Sequence, residues 1–92
     1  MPNKTKKTKL HLATITILVK DRQMHAPEVN QILTDSGHLI MARLGVNVQR
    51  HCNESCTAMI TVAVEATAGE ISAITKKLNK LYGIVAKACV VI

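Results

Sequence analysis

The hydrophobic pattern of this chain changes period along its length, and a backbone segment can obey only one period at a time. From Leu10 to Lys20 the residues alternate, with Ala13, Ile15, Ile17 and Val19 on one face and Leu12, Thr14, Thr16 and Leu18 on the other. That is a strand rich in β-branched side chains. Val29, Ile32 and Leu33 then fall at helical spacing, which predicts a helix over about 24–36, with Pro27 tolerated in its first turn and Ser36-Gly37 as its stop. Alternation returns at Leu39 to Val48, where Gly45 reads as a bulge, and again at Thr57 to Val64, so these two strands make a hairpin joined by the polar stretch 49–55. Thr67-Ala68-Gly69-Glu70 matches a capping box, and Ile71, Ile74, Leu78 and Leu81 follow on one helical face before Gly83. Ile84, Ala86, Ala88, Val90 and Ile92 close the chain as one face of a last strand, in which Cys89 reads as a small core residue.

The order strand, helix, strand, strand, helix, strand specifies an α+β, ferredoxin-like βαββαβ fold: a four-stranded antiparallel sheet with two helices on one face. Helices on one side leave the other side of the sheet uncovered. That face carries Leu12, Leu18, Met59 and Ala63, with Leu39 and Met41 assigned to it as well. An apolar face of this size in a 92-residue chain, too short to bury much of its own surface, points to a homo-oligomer, a dimer or tetramer built through that face or a sheet edge.

Charge separates a tail from a body. The formal net charge is +6, yet Lys4, Lys6, Lys7 and Lys9 carry four of the excess charges, and residues 10–92 hold 8 basic and 6 acidic side chains. Residues 1–9 therefore read as a disordered basic arm, and 10–92 as one folded domain. The basic start followed by Leu10 to Val19 imitates a secretory signal, but it alternates like a strand and runs into Lys20-Asp21-Arg22 where a small-residue cleavage site belongs. No run is apolar enough to span a bilayer. Three cysteines without an export signal read as reduced thiols in a cytoplasmic protein.

Tyr82 is the sole aromatic residue, with no Trp or Phe. An RNA-recognition domain shares this element order but stacks bases on aromatic residues of its central strands, and here those positions are Thr, Leu and Met. The loop Lys20-Asp21-Arg22-Gln23-Met24 lacks the cysteine pair of a soft-metal chaperone. The six acids stand singly and no nucleophile sits beside a base, so no enzyme is expected. No module in the sequence reads DNA, and regulation would pass through a partner protein or, without specificity, through the Lys arm. His51-Cys52-Asn53-Glu54-Ser55-Cys56 offers one imidazole and two thiols to a divalent transition metal, with His38, His25 or a second subunit completing the set. That is the alternative to a chain with no cofactor.

Taken in order, Thr16-Ile17-Leu18-Val19-Lys20-Asp21-Arg22, Val29-Asn30-Gln31-Ile32-Leu33, Ala42-Arg43-Leu44-Gly45, Ile71-Ser72-Ala73-Ile74-Thr75-Lys76-Lys77-Leu78 and Gly83-Ile84-Val85 resemble the iron-only hydrogenase system regulators over roughly residues 12–88. That family resembles ACT domains and the C-terminal sensing domain of the nickel-responsive repressor. The resemblance implies a non-catalytic, oligomeric regulator of transcription with a small effector at a subunit interface, near the turn between the first strand and first helix. ACT domains commonly carry Gly in that turn; this sequence does not. The positions carried over are Asp21 and Arg22 in the turn and Arg43, Leu44 and Gly45 on the second strand. The nickel repressor's use of His and Cys adds to the metal alternative at His51, Cys52 and Cys56.

Overall fold

The computed structural model describes residues 9–48 and 56–92, so the basic arm up to position 8 and both His51 and Cys52 lie outside the described residues. Its elements are β1 (His11–Val19), α1 (Arg22–Asp35), β2 (Ile40–Asn47), β3 (Ala58–Ala66), α2 (Ala68–Asn79) and β4 (Ile84–Val90), with a short 3-10 turn at Gly37–Leu39. The sheet order is β2-β3-β1-β4, all neighbours antiparallel, which is the ferredoxin-like arrangement expected from the element order.

The alternation in β1 and β3 does what period two dictates. Ala13, Ile15, Ile17 and Val19 pair across from Val64, Val62, Ile60 and their neighbours, and this face is buried under the helices. Val29 and Leu33 reach it from α1, and Ile71, Ile74 and Leu78 from α2. The outer face of β1 and β3 presents Leu12, Thr14, Thr16 and Leu18 beside Met59, Thr61 and Ala63.

Two corrections concern β2. The register shift lies between Ile40 and Ala42, at Met41, while Gly45 pairs in register with Ile60. A bulge inverts facing, so Ala42, Leu44 and Val46 take the outer face and Arg43 turns to the helix side, opposite Val62. Leu39, expected on the outer face, sits in the 3-10 turn and packs against the core instead; Met41 is 57% exposed at the bulge.

Others concern α1 and the cysteines. The helix starts at Arg22, so Pro27 falls in its second turn. Gly37 continues into the 3-10 turn without the positive φ of a helix-stop glycine. Cys89 is an exposed free thiol, because it alternates with Ala88 and faces away from the helices, opposite Thr14. Cys56 is buried. No helix among the described residues is long and apolar enough to cross a membrane.

Candidate effector cleft

Two turns meet at one end of the sheet. β1 runs out at Val19, and the next residue, Lys20, donates its N–H to the Gly83 carbonyl at 2.9 Å. Asp21 then takes φ 90°, ψ 73°, a left-handed conformation that costs a non-glycine residue about 1–2 kcal/mol, less for Asp than for most. The strained turn is held from outside: Arg22 N–H donates to the Cys56 carbonyl at 2.7 Å, and Cys56 N–H donates to Gln23 Oε1 at 3.4 Å. Asp21 occupies the cap position of α1, but its side chain makes no capping hydrogen bond, contrary to the simplest expectation for an Asp there. Asp21 lines the cleft that opens beside this turn.

Gly83 supplies the second turn, at φ 77°. Two requirements converge on this glycine, since a Cβ would stand 3.0 Å from His25 Cδ2. The imidazole thus lies directly over the Gly83 backbone. Its ring meets Tyr82 edge-on, with centroids 5.8 Å apart and planes at 63°. His25 Nδ1 also stands 3.9 Å from Glu28 Oε1.

Lys20, Asp21, His25, Tyr82 and Gly83 line a half-open cleft of about 380 Å³. Its chemistry is mixed: an ammonium, an imidazole and a carboxylate around an aromatic face, with Tyr82 86% exposed at the rim. Such a set holds a small charged ligand bearing a planar or apolar part, and includes no nucleophile paired with a base.

Of the five positions carried over by resemblance, the structure brings only Asp21 into the cleft. Arg22 turns away, its Nη1 donating to Asn47 Oδ1 at 2.7 Å. Arg43 Nη2 donates to Asn30 Oδ1 at 2.6 Å, tying β2 to α1. Leu44 is 67% exposed and lines a shallow hollow of about 200 Å³ with Ala42, Arg43, Thr61 and Ala63, while Gly45 is an ordinary strand residue. Sequence reasoning missed Lys20, His25, Tyr82 and Gly83. The signal was there in part: the sole aromatic residue stands beside the glycine of the turn between α2 and β4.

The metal alternative falls mostly outside the described residues. Of its three ligands only Cys56 is described, and His51 and Cys52 lie outside the described residues. Among the described residues no three His, Cys, Asp or Glu side chains come together.

Solved structures share this architecture. The uncharacterized protein TM1266 from Thermotoga maritima superposes with a TM-score of 0.78 at 24% sequence identity, covering 91% of this chain and 100% of the other. The apo form of CPII from Thiomonas intermedia, a nitrogen regulatory PII-like protein, gives 0.56 at 14% identity over 91% of this chain and 94% of that one. CPII bound to ADP, AMP and acetate gives 0.52 at 15%, over 90% and 89%. At these identities the likeness concerns the fold. No curated protein matches the sequence. A family model does, over residues 11–88, and by that match the chain belongs to the family described as "TM1266-like: Iron-only hydrogenase system regulator, putative".

Proposed function

We propose that this protein is a non-catalytic regulatory module, cytoplasmic and without a resident cofactor, that takes a small charged effector in the cleft between the β1–α1 turn and the α2–β4 turn. The observation that carries the reading is the cleft itself, where Lys20, Asp21, His25 and Tyr82 surround the left-handed Gly83. Its place is that implied by the resemblance to ACT domains. Asp21 supplies at φ 90° the backbone form for which such turns commonly use glycine. The half-open rim at Tyr82 leaves room for a second subunit to complete the site, and the response would pass to a partner protein.

Adenine nucleotides are the ligand class to try first. CPII, which shares the fold, is solved with ADP and AMP. Lys20 suits a phosphate and Tyr82 a purine ring, whereas Asp21 and Lys20 together also suit the amine and carboxylate of an amino acid.

A thermal-melting screen of the metal-free protein against adenine nucleotides and amino acids tests this. A true effector at a hundred times its dissociation constant adds about 2.7 kcal/mol of stability, which moves the midpoint of a small domain by about 10–20 °C. Lys20→Ala and Tyr82→Ala should abolish the shift while leaving the unliganded melting temperature nearly unchanged, since Lys20 is exposed and Tyr82 stands at the open rim. A panel in which nothing shifts the melting temperature, or shifts it equally in both variants, overturns the reading.

A further inference from the structure

β4 lies at the edge of the sheet, with β1 on one side and no strand on the other among the described residues. The Ala86 N–H donates to Asn79 Oδ1 at 2.8 Å, and the Ala86 carbonyl accepts from Asn79 Nδ2 at 2.9 Å. Both backbone groups of Ala86 therefore point away from β1, and the Asn79 amide stands in for a neighbouring strand. Direction alternates along an antiparallel ladder, so Ala88 and Val90 send their N–H and C=O groups the same way. No described residue meets them. Val91 points back, its N–H donating to the Leu12 carbonyl at 2.8 Å, and Ile92 N–H follows at 3.4 Å. The open edge is thus a window of two residues, closed by Asn79 at one end and by the turn toward Leu12 at the other.

A groove of about 380 Å³ runs beside the window, lined by Ala68, Ile71, Ser72, Thr75 and Lys76 of α2 together with Ala88 and Val90, so that it is mostly apolar and carries one lysine. The helix-side residues Ile84 and Ala86 are buried under α2, whereas Ala88 and Val90 on the same side are exposed, because α2 leaves this end of the strand uncovered.

We propose that this window pairs with β4 of a second copy of the chain, antiparallel, about a two-fold axis at Cys89. In that register Ala88 faces Val90 of the partner subunit and Val90 faces Ala88 of the partner subunit. Four main-chain hydrogen bonds then satisfy every open donor and acceptor on both copies, and the two apolar grooves join beneath the paired strands. Along the strand Lys87 falls opposite Val91 of the partner subunit, so the paired register sets no lysine directly against its copy. Val91 and Ile92, 67% and 74% exposed, extend the apolar strip along the edge. The contact is small against the roughly 800 Å² per partner of a standard stable interface, which places the dimer in the weak, concentration-dependent class. It is independent of the effector cleft, which lies at the other end of β4.

Cys89 gives the register a direct readout. It is a free, exposed thiol, and on the axis it would form a non-hydrogen-bonded pair with its copy, Cα to Cα about 4.5 Å, inside the span a disulfide bridges. Treated with diamide, which takes two electrons and two protons from two thiols as the S–S bond forms, the wild-type chain should give a covalent dimer on a non-reducing gel, and Cys89→Ser should not. Sedimentation equilibrium from micromolar to millimolar protein should show reversible dimerisation, weakened at least tenfold by Ala88→Pro. Proline there removes an outward N–H and no bond to β1. Val90→Lys, which sets a second positive charge beside Lys76 in the groove, should do the same and guards against a folding defect in the proline variant. A chain that stays monomeric throughout, a dimer undisturbed by both variants, or a cross-link that survives Cys89→Ser overturns the proposal.

Discussion

α2 begins where Thr67 Oγ1 accepts the Glu70 N–H at 3.2 Å and Glu70 Oε1 accepts the Thr67 N–H at 2.9 Å. α1 begins at a left-handed Asp21 with no side-chain cap and carries Pro27 inside. One helix is started by four consecutive residues of its own sequence. The other is started by hydrogen bonds from elsewhere, Arg22 to Cys56 and Cys56 to Gln23. The packing follows suit: α2 buries Ile71, Ile74 and Leu78, whereas α1 buries Val29 and Leu33. The helix that lacks local support is also the one whose first turn lines the cleft through Asp21 and His25. A segment held mainly by tertiary contacts opens more readily, and binding regions are drawn from that end of the stability range.

The largest test of this contrast lies in the core. Leu78→Ala and Leu33→Ala each empty a buried position and should each cost about 2–5 kcal/mol in urea unfolding. Because α1 has little else to hold it, Leu33→Ala should in addition release the α1 amides to hydrogen exchange before those of α2; equal protection would remove the contrast. Gly83→Ala comes next, at about 1–3 kcal/mol, since alanine must adopt φ 77° and displace His25 from 3.0 Å. The same variant should lose any effector-induced melting shift.

Thr67→Ala should cost about 1 kcal/mol, the usual worth of such a cap. The matching change in α1 runs the other way: Asp21→Gly relieves the left-handed strain and gives up no capping bond, and should stabilise the fold by less than about 1 kcal/mol. Were Asp21→Gly to destabilise as much as Thr67→Ala, the two helix starts would be alike after all.

Legibility in the sequence tracks this difference. The capping box and the facing of β1 and β3 are set by residues within a few positions of one another and are readable, whereas α2 stops at Asn79, ahead of Gly83, which serves the turn into β4 instead. The bulge at Met41 is not, because Gly45 offers the more obvious break and the choice is made by pairing with β3. The start of α1 falls two residues ahead of its expected place for a like reason: Pro27 argues for a later start, and the contact with Cys56 allows an earlier one. Cys89 reads as core because its strand is apolar on both faces, and only the position of the helices shows which face is covered. Of the site, Asp21 is reached by resemblance, while His25 and Tyr82 lie 57 residues apart and carry no shared motif.

By itself, then, the sequence determined six elements, their order and the buried faces of β1, β3 and α2, because hydrophobic period and helix caps act over a few residues. The tertiary structure alone decided what those elements present to a partner. It put His25 over Gly83 at the end of β4 where the cleft lies, and Asn79 against Ala86 so that only Ala88 and Val90 remain open. Both placements depend on residues brought together by antiparallel pairing and helix packing across the fold, distances that no local pattern encodes.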